Sequence, residues 1–416
     1  MKFNYLIKKN ENCRVCRTRR LEKVLDFGPT PLANAFLSKK MIDNEESFYP
    51  LQVFFCQNCT MLQLGHAVSS KLLFENYVYV SSTSPVFIKH FVDFADRIKT
   101  QFKLEKKSLI IDLGSNDGIL LKPFKDLGNK VLGIEPASNI AKIARKKGVD
   151  TIDEFFNVPL AKKIKKKHGK AQIITATNVF AHIDDLDEVI TGIKTMLDKN
   201  GVFIIEAPYL IDFIQKRYFD LVYHEHMSYW SIKSLQAIFK RFKMSIFDVQ
   251  KVPVHGGSVR VFVKQNKGSH KIQKSVSKFL AQEKKMKLHK KATYLSYGEK
   301  ILQNRVNLLS ILTRLKNKGS RIIGYGAPAK GNTLLNYFKI GPDILDYIVD
   351  DSVFKQGLFT PGTHIPVHSP KILSKSKVDY ILILAWNFAD PIMKNYSWFK
   401  KKGGRFLIPV PIPRII

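Results

Sequence analysis

Tyr223-His224-Glu225-His226 puts four ionisable side chains on four consecutive positions. An acid beside an imidazole orients the ring and raises its basicity, which is what a general base near neutral pH requires. Read as a strand, the run places Tyr223 and Glu225 on one face and His224 and His226 on the other. Two other readings stay open: a His-x-His metal site, for which no third or fourth ligand is evident, and a hydrogen-bonded structural cluster. Two further segments carry compatible groups. Tyr77-Val78-Tyr79-Val80-Ser81-Ser82 offers Tyr77 and Tyr79 on one strand face, and Asn178-Val179-Phe180-Ala181-His182 follows an apolar run at an expected ligand edge. His182 on its own suits a buried structural histidine equally well.

A second constellation uses every cysteine in the chain. Cys13-x-x-Cys16 and Cys56-x-x-Cys59 are identical pairs, and two such turns can converge their sulfurs on one tetrahedral Zn²⁺ at about 2.3 Å. The spacer from Arg17 to Phe55 is long enough to fold by itself, with Phe27-Gly28-Pro29-Thr30-Pro31-Leu32 as its turn. Two disulfides are the alternative, but they need an oxidising compartment and no export signal precedes these cysteines. A closed four-thiolate site has no open coordination position, so the expected metal is structural and leaves the chemistry to other residues.

These groups need a scaffold, and the middle of the chain reads as one. From Lys107 to Pro208 short apolar runs alternate with helical stretches. Ser108 to Leu113 is a buried strand, followed by Gly114-Ser115-Asn116-Asp117-Gly118. Lys130 to Glu135 is a second strand that ends in an acid 23 residues after Asp112. Later runs begin at Gln172 and Gly201. Such alternation implies a doubly wound parallel sheet whose ligand lies beyond the carboxyl ends of its strands. Asn116 stands where the dinucleotide fingerprint G-x-G-x-x-G has its second glycine. Asp112, Gly114, Asn116 and Gly118 followed by Glu135 instead resemble the S-adenosylmethionine methyltransferase pattern, which implies that the carboxylate accepts hydrogen bonds from the ribose hydroxyls. A structural strand-to-helix turn is the plainer alternative for such a loop.

Beyond a lysine-rich helical stretch, a second α/β unit is expected. Arg321 to Gly326 enters Gly326-Ala327-Pro328-Ala329-Lys330-Gly331 and then a helix through Phe338, an arrangement that suits phosphate at a helix N-terminus. Gly324, Gly326 and Ala329 also satisfy the looser G-x-G-x-x-A form, which makes an NAD(P)-linked nucleotide-sugar oxidoreductase a rival reading. Lys330, Asn332 and Asp350-Asp351 are the polar groups of this segment, and a solvent-facing lysine is the bland reading of Lys330.

At 416 residues and 45% hydrophobic, the chain has material for two or three domains. No apolar run is long enough to span a bilayer, and a cytoplasmic protein is expected. The formal net charge of +33 would favour an anionic partner, and a zinc-ribbon nucleic-acid-binding protein is the rival from another class. The lysines are scattered, however, without the aromatic interleaving of single-strand binders, so neither nucleic acid nor membrane is an expected partner.

Several motifs then occur in order: Cys13-Arg14-Val15-Cys16, Phe27-Gly28-Pro29-Thr30-Pro31-Leu32-Ala33-Asn34, Cys56-Gln57-Asn58-Cys59, Tyr77 to Ser82, Tyr223 to His226, His255-Gly256-Gly257-Ser258 and Gly324 to Asn332. Together they resemble, over nearly the whole chain, the zinc-containing sugar C-methyltransferases that act on nucleotide-linked 4-keto-6-deoxy sugars. The resemblance implies an N-terminal zinc-ribbon domain (1–70), a Rossmann-like class I methyltransferase domain (71–265), a helical connector (266–316) and a C-terminal Rossmann-like α/β domain (317–416). It implies S-adenosyl-L-methionine as donor, held by Asp112, Gly114, Asn116, Gly118, Glu135 and Asn178, and a dTDP-linked or similar sugar as acceptor. It also implies that His226 is the base with Tyr223 and Glu225 beside it, that Tyr77 and His182 hold the sugar or its enolate oxygen, and that Tyr79, Lys330 and Asn332 bind substrate.

Overall fold

Alternation of side chains along Tyr49–Cys56 buries Tyr49, Leu51, Val53 and Phe55 and leaves the residues between the first three half-buried, the period expected of a strand with one face on a core. This strand is the centre of the N-terminal sheet in the computed structural model, which describes residues 7–74, 80–83 and 85–416. Tyr77 and Tyr79 lie outside the described residues. Leu21–Thr30 and Leu62–Leu64 flank the central strand antiparallel, and the fourth strand, Ser228–Tyr229, comes from far along the chain. The N-terminal sheet is therefore completed by the residues that immediately follow the Tyr-His-Glu-His run.

The second sheet contains β1 (Leu109–Leu113), β2 (Lys130–Ile134), β3 (Thr151–Ile152), β4 (Ala171–Thr177), β5 (Leu197–Pro208), β6 (Met244–Val252) and β7 (Ser258–Gln265). Its spatial order is β3-β2-β1-β4-β5-β7-β6. The pairs from β3 through β5 are parallel, while β7 runs antiparallel to both its neighbours. All five residues of β1 are buried, as the doubly wound reading requires of a strand covered on both faces. The order reverses between β1 and β4. A ligand crevice forms at such a switch point, and here its rim consists of the loops after β1, β2 and β4, which carry Gly114, Glu135 and Asn178.

The lysine-rich stretch forms two helices, Lys274–Lys285 and Lys291–Asn317. The second spans about 40 Å at the usual rise per residue. Tyr294, Tyr297, Ile301, Asn304, Leu308, Leu312 and Leu315 form its buried stripe, spaced at three and four residues as a single apolar face demands. The stripe crosses the N-terminal sheet, with Tyr294 against Phe55 at 5.0 Å between ring centroids, and reaches the C-terminal unit, where Asn304 Nδ2 donates to the Pro409 carbonyl at 3.1 Å.

That last unit is a six-stranded sheet in the order Val367–His368, Ile348–Val349, Ile322–Tyr325, Tyr380–Ile383, Arg405–Ile408, Arg414–Ile415, parallel except for the final strand. Ala329–Phe338 follows its Gly326-Ala327-Pro328 turn as a helix. The expected α/β class with an N-terminal cysteine domain and two doubly wound units is thus observed. Among the described residues no helix is long and apolar enough to cross a membrane.

Because the long helix contributes to both neighbouring cores, Leu308, wholly buried in the middle of its stripe, should be costly to truncate. Leu308→Ala is expected to lose about 2–5 kcal/mol, read as a lower midpoint of denaturant unfolding followed by tryptophan fluorescence. An unchanged midpoint would show that the helix is not part of the shared core.

Candidate active site

His226 does not lie in a strand. Residues 223–226 form a turn closed by the His226 N–H donating to the Tyr223 carbonyl at 2.9 Å. The turn replaces the expected alternation of faces and brings Tyr223 and His226 together. His226 Nδ1 lies 2.8 Å from the Leu221 carbonyl, and Nε2 lies 2.8 Å from the Tyr223 hydroxyl. A carbonyl can only accept, so Nδ1 carries the proton and Nε2 the lone pair. Burial pushes the His226 pKa down to about 4, against the opposing pull of the Leu221 carbonyl. The ring is therefore neutral at physiological pH.

His182 joins this pair. Its ring stands perpendicular to that of His226 with centroids 4.8 Å apart, and it hydrogen-bonds the Asn178 backbone. Burial and the proximity of His226 hold its pKa well below the ordinary imidazole value, so two neutral imidazoles face each other. Asn178 itself has a left-handed φ of 57°, and its N–H donates to the Glu206 carbonyl at 2.7 Å. This ties the end of β4 to β5.

Glu225 and His224 point elsewhere. The buried Glu225 Oε1 accepts from Asn34 Nδ2 at 2.6 Å. Burial raises its pKa to about 7, and the Asn34 amide opposes the rise. His224 is buried, with Nε2 3.2 Å from the Tyr49 carbonyl and its ring edge-on to Tyr49 at 5.8 Å. Its position is that of a structural clamp on the N-terminal sheet. Phe27-Gly28-Pro29-Thr30-Pro31-Leu32 was expected as a turn, whereas Phe27 to Thr30 end the strand Leu21–Thr30, and nothing in the sequence showed that Asn34 would meet Glu225.

At the switch-point crevice each Glu135 oxygen already accepts one backbone N–H, Oε1 from Ala137 and Oε2 from Asn116, both at 2.9 Å. A carboxylate has about four acceptor sites, which leaves room for a hydroxyl at each oxygen. Burial raises the Glu135 pKa, while these two N–H groups oppose it. Asp112 is buried behind the loop, where it accepts from Thr175 Oγ1 at 2.6 Å, and burial brings its pKa to about 7. Asn116 sits at φ 48° with Oδ1 accepting from the Ser81 N–H at 2.9 Å. A Cβ on Gly114, at φ +65°, would come within 2.6 Å of Val179, and one on Gly118, at φ +79°, within 2.9 Å of Val149. These glycines admit neighbouring side chains in the first instance. An unforeseen buried ion pair lies between β5 and β7, where Arg260 donates to Glu206 Oε2 at 2.9 and 3.0 Å and His90 Nε2 meets Oε1 at 2.7 Å.

In the C-terminal unit, Lys330 reaches the Asn387 side chain and lies 4.0 Å from the Trp386 ring centroid. Burial lowers its pKa to about 8, with Asp220 opposing. Trp386 donates its indole N–H to Asp220 and stacks on Tyr218 at 4.3 Å. Lys330 is therefore half-buried among residues that lead directly into the Tyr223 turn, and it is no freely solvated surface lysine. Asn332 departs from expectation: its side chain is buried, with Nδ2 donating to the Ala33 carbonyl at 2.7 Å. Ala327 N–H is also taken, by Asp350 Oδ2 at 2.6 Å, so the glycine-alanine turn does not offer that donor to a phosphate.

The four cysteine sulfurs all lie within 4.8 Å of one another. Cys13 and Cys59 are 3.5 Å apart and Cys16 and Cys56 are 3.6 Å apart. A disulfide would need about 2.05 Å, whereas sulfurs at 2.3 Å from a tetrahedral centre stand about 3.8 Å apart. Each knuckle closes in the same way, with Arg17 N–H donating to Cys13 and Thr60 N–H to Cys56, both at 2.9 Å, and φ near +64° at Arg17 and +63° at Thr60. The donor set fits a structural zinc ion.

Three family models match the chain: "Putative zinc binding domain" over residues 13–74, "Methyltransferase domain" over 88–245 and "C-methyltransferase C-terminal domain" over 253–411. C-methyltransferase NovU of Streptomyces niveus is 34% identical over 411 residues, covering 99% of this chain and 98% of the relative. A ubiquinone biosynthesis O-methyltransferase of Pelagibacter ubique is 30% identical over 112 residues, 26% of this chain and 45% of that protein. Among solved structures, magnesium protoporphyrin IX methyltransferase of Synechocystis with bound SAH aligns over 43% of this chain and 83% of its own, at 16% identity and a TM-score of 0.34.

Two outcomes follow from this geometry. Cys56→Ser should leave the purified protein with less than one zinc per chain by metal analysis and a lower yield of folded material; full zinc content would refute the four-thiolate assignment. With His224 and His226 both held near pKa 4, below the ordinary value of about 6.5, the unfolded chain binds more protons between the two values. The imidazole contribution to stability should accordingly fall as pH drops from about 6.5 towards 4, while Asp112 and Glu225, both raised to about 7, contribute with the opposite sign over the same window. Following the His224 and His226 ring protons by NMR separates the two contributions, and titration midpoints near about 6.5 would contradict the buried neutral imidazoles.

Proposed function

This chain belongs to the C-methyltransferase family, and from that premise we propose that it is an S-adenosyl-L-methionine-dependent sugar C-methyltransferase. Its acceptor is a nucleotide-linked 4-keto-deoxysugar, methylated in the cytoplasm at the carbon alpha to the ketone. The observation that carries this reading is the Leu221–His226–Tyr223 chain of hydrogen bonds, which fixes the lone pair on Nε2, with the His182 ring beside it. Carbon methylation without a strong nucleophile in the acceptor requires a base to create one. A neutral imidazole with its one lone pair directed at a displaceable hydroxyl is such a base.

The donor, when bound, supplies a methyl group made electrophilic by its sulfonium. Glu135 would bind the ribose hydroxyls through its remaining acceptor sites, with Gly114, Asn116 and Gly118 shaping the loop. Asn178 fixes the adjoining strand end. On the acceptor side, the substrate C–H takes the place of the Tyr223 hydroxyl at Nε2 and the proton passes to His226. The displaced hydroxyl is the donor for the developing enolate oxygen, a charge best stabilised by dipoles already in place, and His182, whose N–H is held by the Asn178 backbone, packs beside the sugar. The imidazolium that forms remains oriented by the Leu221 carbonyl, and Glu225, bonded to Asn34, anchors the turn. Tyr77 and Tyr79 complete the sugar pocket in this reading.

The Lys330–Trp386–Asp220 cluster supports a substrate that bridges the two α/β units. It joins Lys330, at the start of the C-terminal helix, to a segment that ends only three residues before Tyr223. A diphosphate beside Lys330 would leave the sugar to extend towards His226. Asn332 acts there through the backbone that it holds.

The test separates proton removal from methyl transfer. With a dTDP-linked 4-keto-6-deoxy sugar and an unreactive donor analogue, the wild-type enzyme should exchange the alpha hydrogen with heavy water. His226→Ala should lose exchange and methylation together, by roughly two to four orders of magnitude, while still binding the donor. Tyr223→Phe should cost less. Near wild-type methylation by His226→Ala would move the base elsewhere. The rate should also stay level as pH falls to about 5 and decline only as the base titrates near pH 4; an acid limb near pH 6.5 would contradict the depressed pKa.

A further inference from the structure

We propose that Arg14 is a positioning residue for the methylation, a strut that transmits the shape of the first cysteine knuckle to both active-site imidazoles. This rests on the assignment of His226 and His182 above. Arg14 lies between Cys13 and Cys16 and is only 4% exposed. Its backbone N–H donates to Gln63 Oε1 at 2.8 Å, and Gln63 is itself wholly buried. The knuckle and the sheet thus fix where the side chain begins.

The far end of the side chain reaches the loop that carries His182. Nη2 donates to the Ile183 carbonyl and, at 2.8 Å, to the Asp184 carbonyl. Nη1 is 3.3 Å from Asp184 Oδ1 and 3.6 Å from Met227 Sδ. Ile183 is the residue after His182, and Met227 is the residue after His226. One planar group therefore touches the immediate neighbours of two rings whose perpendicular contact defines the site.

Two observations separate positioning from simple docking. The knuckle is already anchored to the next helix, where Arg17 and Arg241 pair with Asp187 at 2.8 and 2.7 Å and Arg241 donates to the Val15 carbonyl at 2.8 Å. Loss of Arg14 leaves those contacts intact. The Asp184 carboxylate, 38% exposed against 4% for Arg14, is the most distant of the oxygens that Arg14 meets, and its charge offsets part of the cost of burying the guanidinium. The buried contacts are to carbonyls on adjacent peptides, which the fixed fork of a guanidinium can span and a compact ammonium cannot. Burying a cation for that purpose is costly, and the return is a defined backbone path on the C-terminal side of His182.

The test uses full-length Arg14→Met and Arg14→Lys proteins. Both should retain one zinc per chain by metal analysis and wild-type calorimetric affinity for S-adenosyl-L-methionine. Hydrogen–deuterium exchange of the amides at 182–185 should accelerate in both. With the dTDP-linked 4-keto-6-deoxy sugar as probe, kcat should fall roughly 10- to 100-fold, the scale of a small misplacement of reacting groups, with KM little changed and without rescue by lysine. Asp184→Asn, which keeps both carbonyl acceptors, should lose far less. Wild-type exchange at 182–185, or wild-type kcat in Arg14→Met, overturns the proposal. Loss of zinc in proportion to lost activity also overturns it, because Arg14 would then serve knuckle folding alone. If His226→Ala proves active, the base assignment fails separately, whereas the amide-exchange result still decides whether Arg14 holds the loop.

Discussion

Two residues of backbone, Ser228 and Tyr229, hydrogen-bond across to Leu62 and Gln63 and so make the N-terminal sheet and the turn that carries His226 parts of one structure. Without that pairing the turn at 223–226 would be a surface excursion between a short helical segment and the helix at 232–241. With it, the turn is bounded on one side by a strand ladder and on the other by the Leu221 carbonyl. Cysteine knuckles stabilise the sheet from which the ladder hangs. The cysteine cluster therefore bears on the His226 turn through backbone geometry alone.

Burial governs the chemistry of that turn. The imidazoles of His182 and His226 stay neutral because the protein interior penalises the charged form. The same burial pushes Glu225 towards its protonated form, and the Asn34 amide counteracts it. The turn thus carries a neutral imidazole and, one residue away, a carboxyl group close to its titration point. Water-exposed residues of the same types would show neither property, so the spatial enclosure is as much a part of the active site as the side chains themselves.

Much of this was legible in the sequence, for identifiable reasons. The cysteine pairs specify their own geometry because a two-residue spacer fixes the knuckle. The strands of the central sheet announce themselves as fully apolar runs, and Glu135 falls at a strand end that periodicity locates. The turn at 223–226 was not legible, because four polar residues have no apolar period and can be written equally well as a strand. Asn332 was assigned towards a ligand because its neighbours resemble a phosphate loop, whereas packing against Ala33 decides where it points. Arg14, Asn34, Glu206 and Asp220 were invisible for a common reason. Each acquires its role from a residue brought close only by the tertiary fold, and no local pattern encodes such a partner.

The path from Asn332 through the Ala33 carbonyl, the adjoining Asn34 and on to Glu225 bears on how enzymes of this architecture can be recombined. A chimera that exchanges the C-terminal unit at the long helix would keep each sheet intact and still sever this path, because its middle link belongs to the N-terminal unit. Helix and loop form a matched pair, separated in the chain by about 300 residues. Transplanting residues 30–34 together with the incoming C-terminal unit would preserve the register of the Glu225 contact. Domain boundaries drawn along the chain are thus poor guides for cutting this molecule, and boundaries drawn through its hydrogen bonds are better ones.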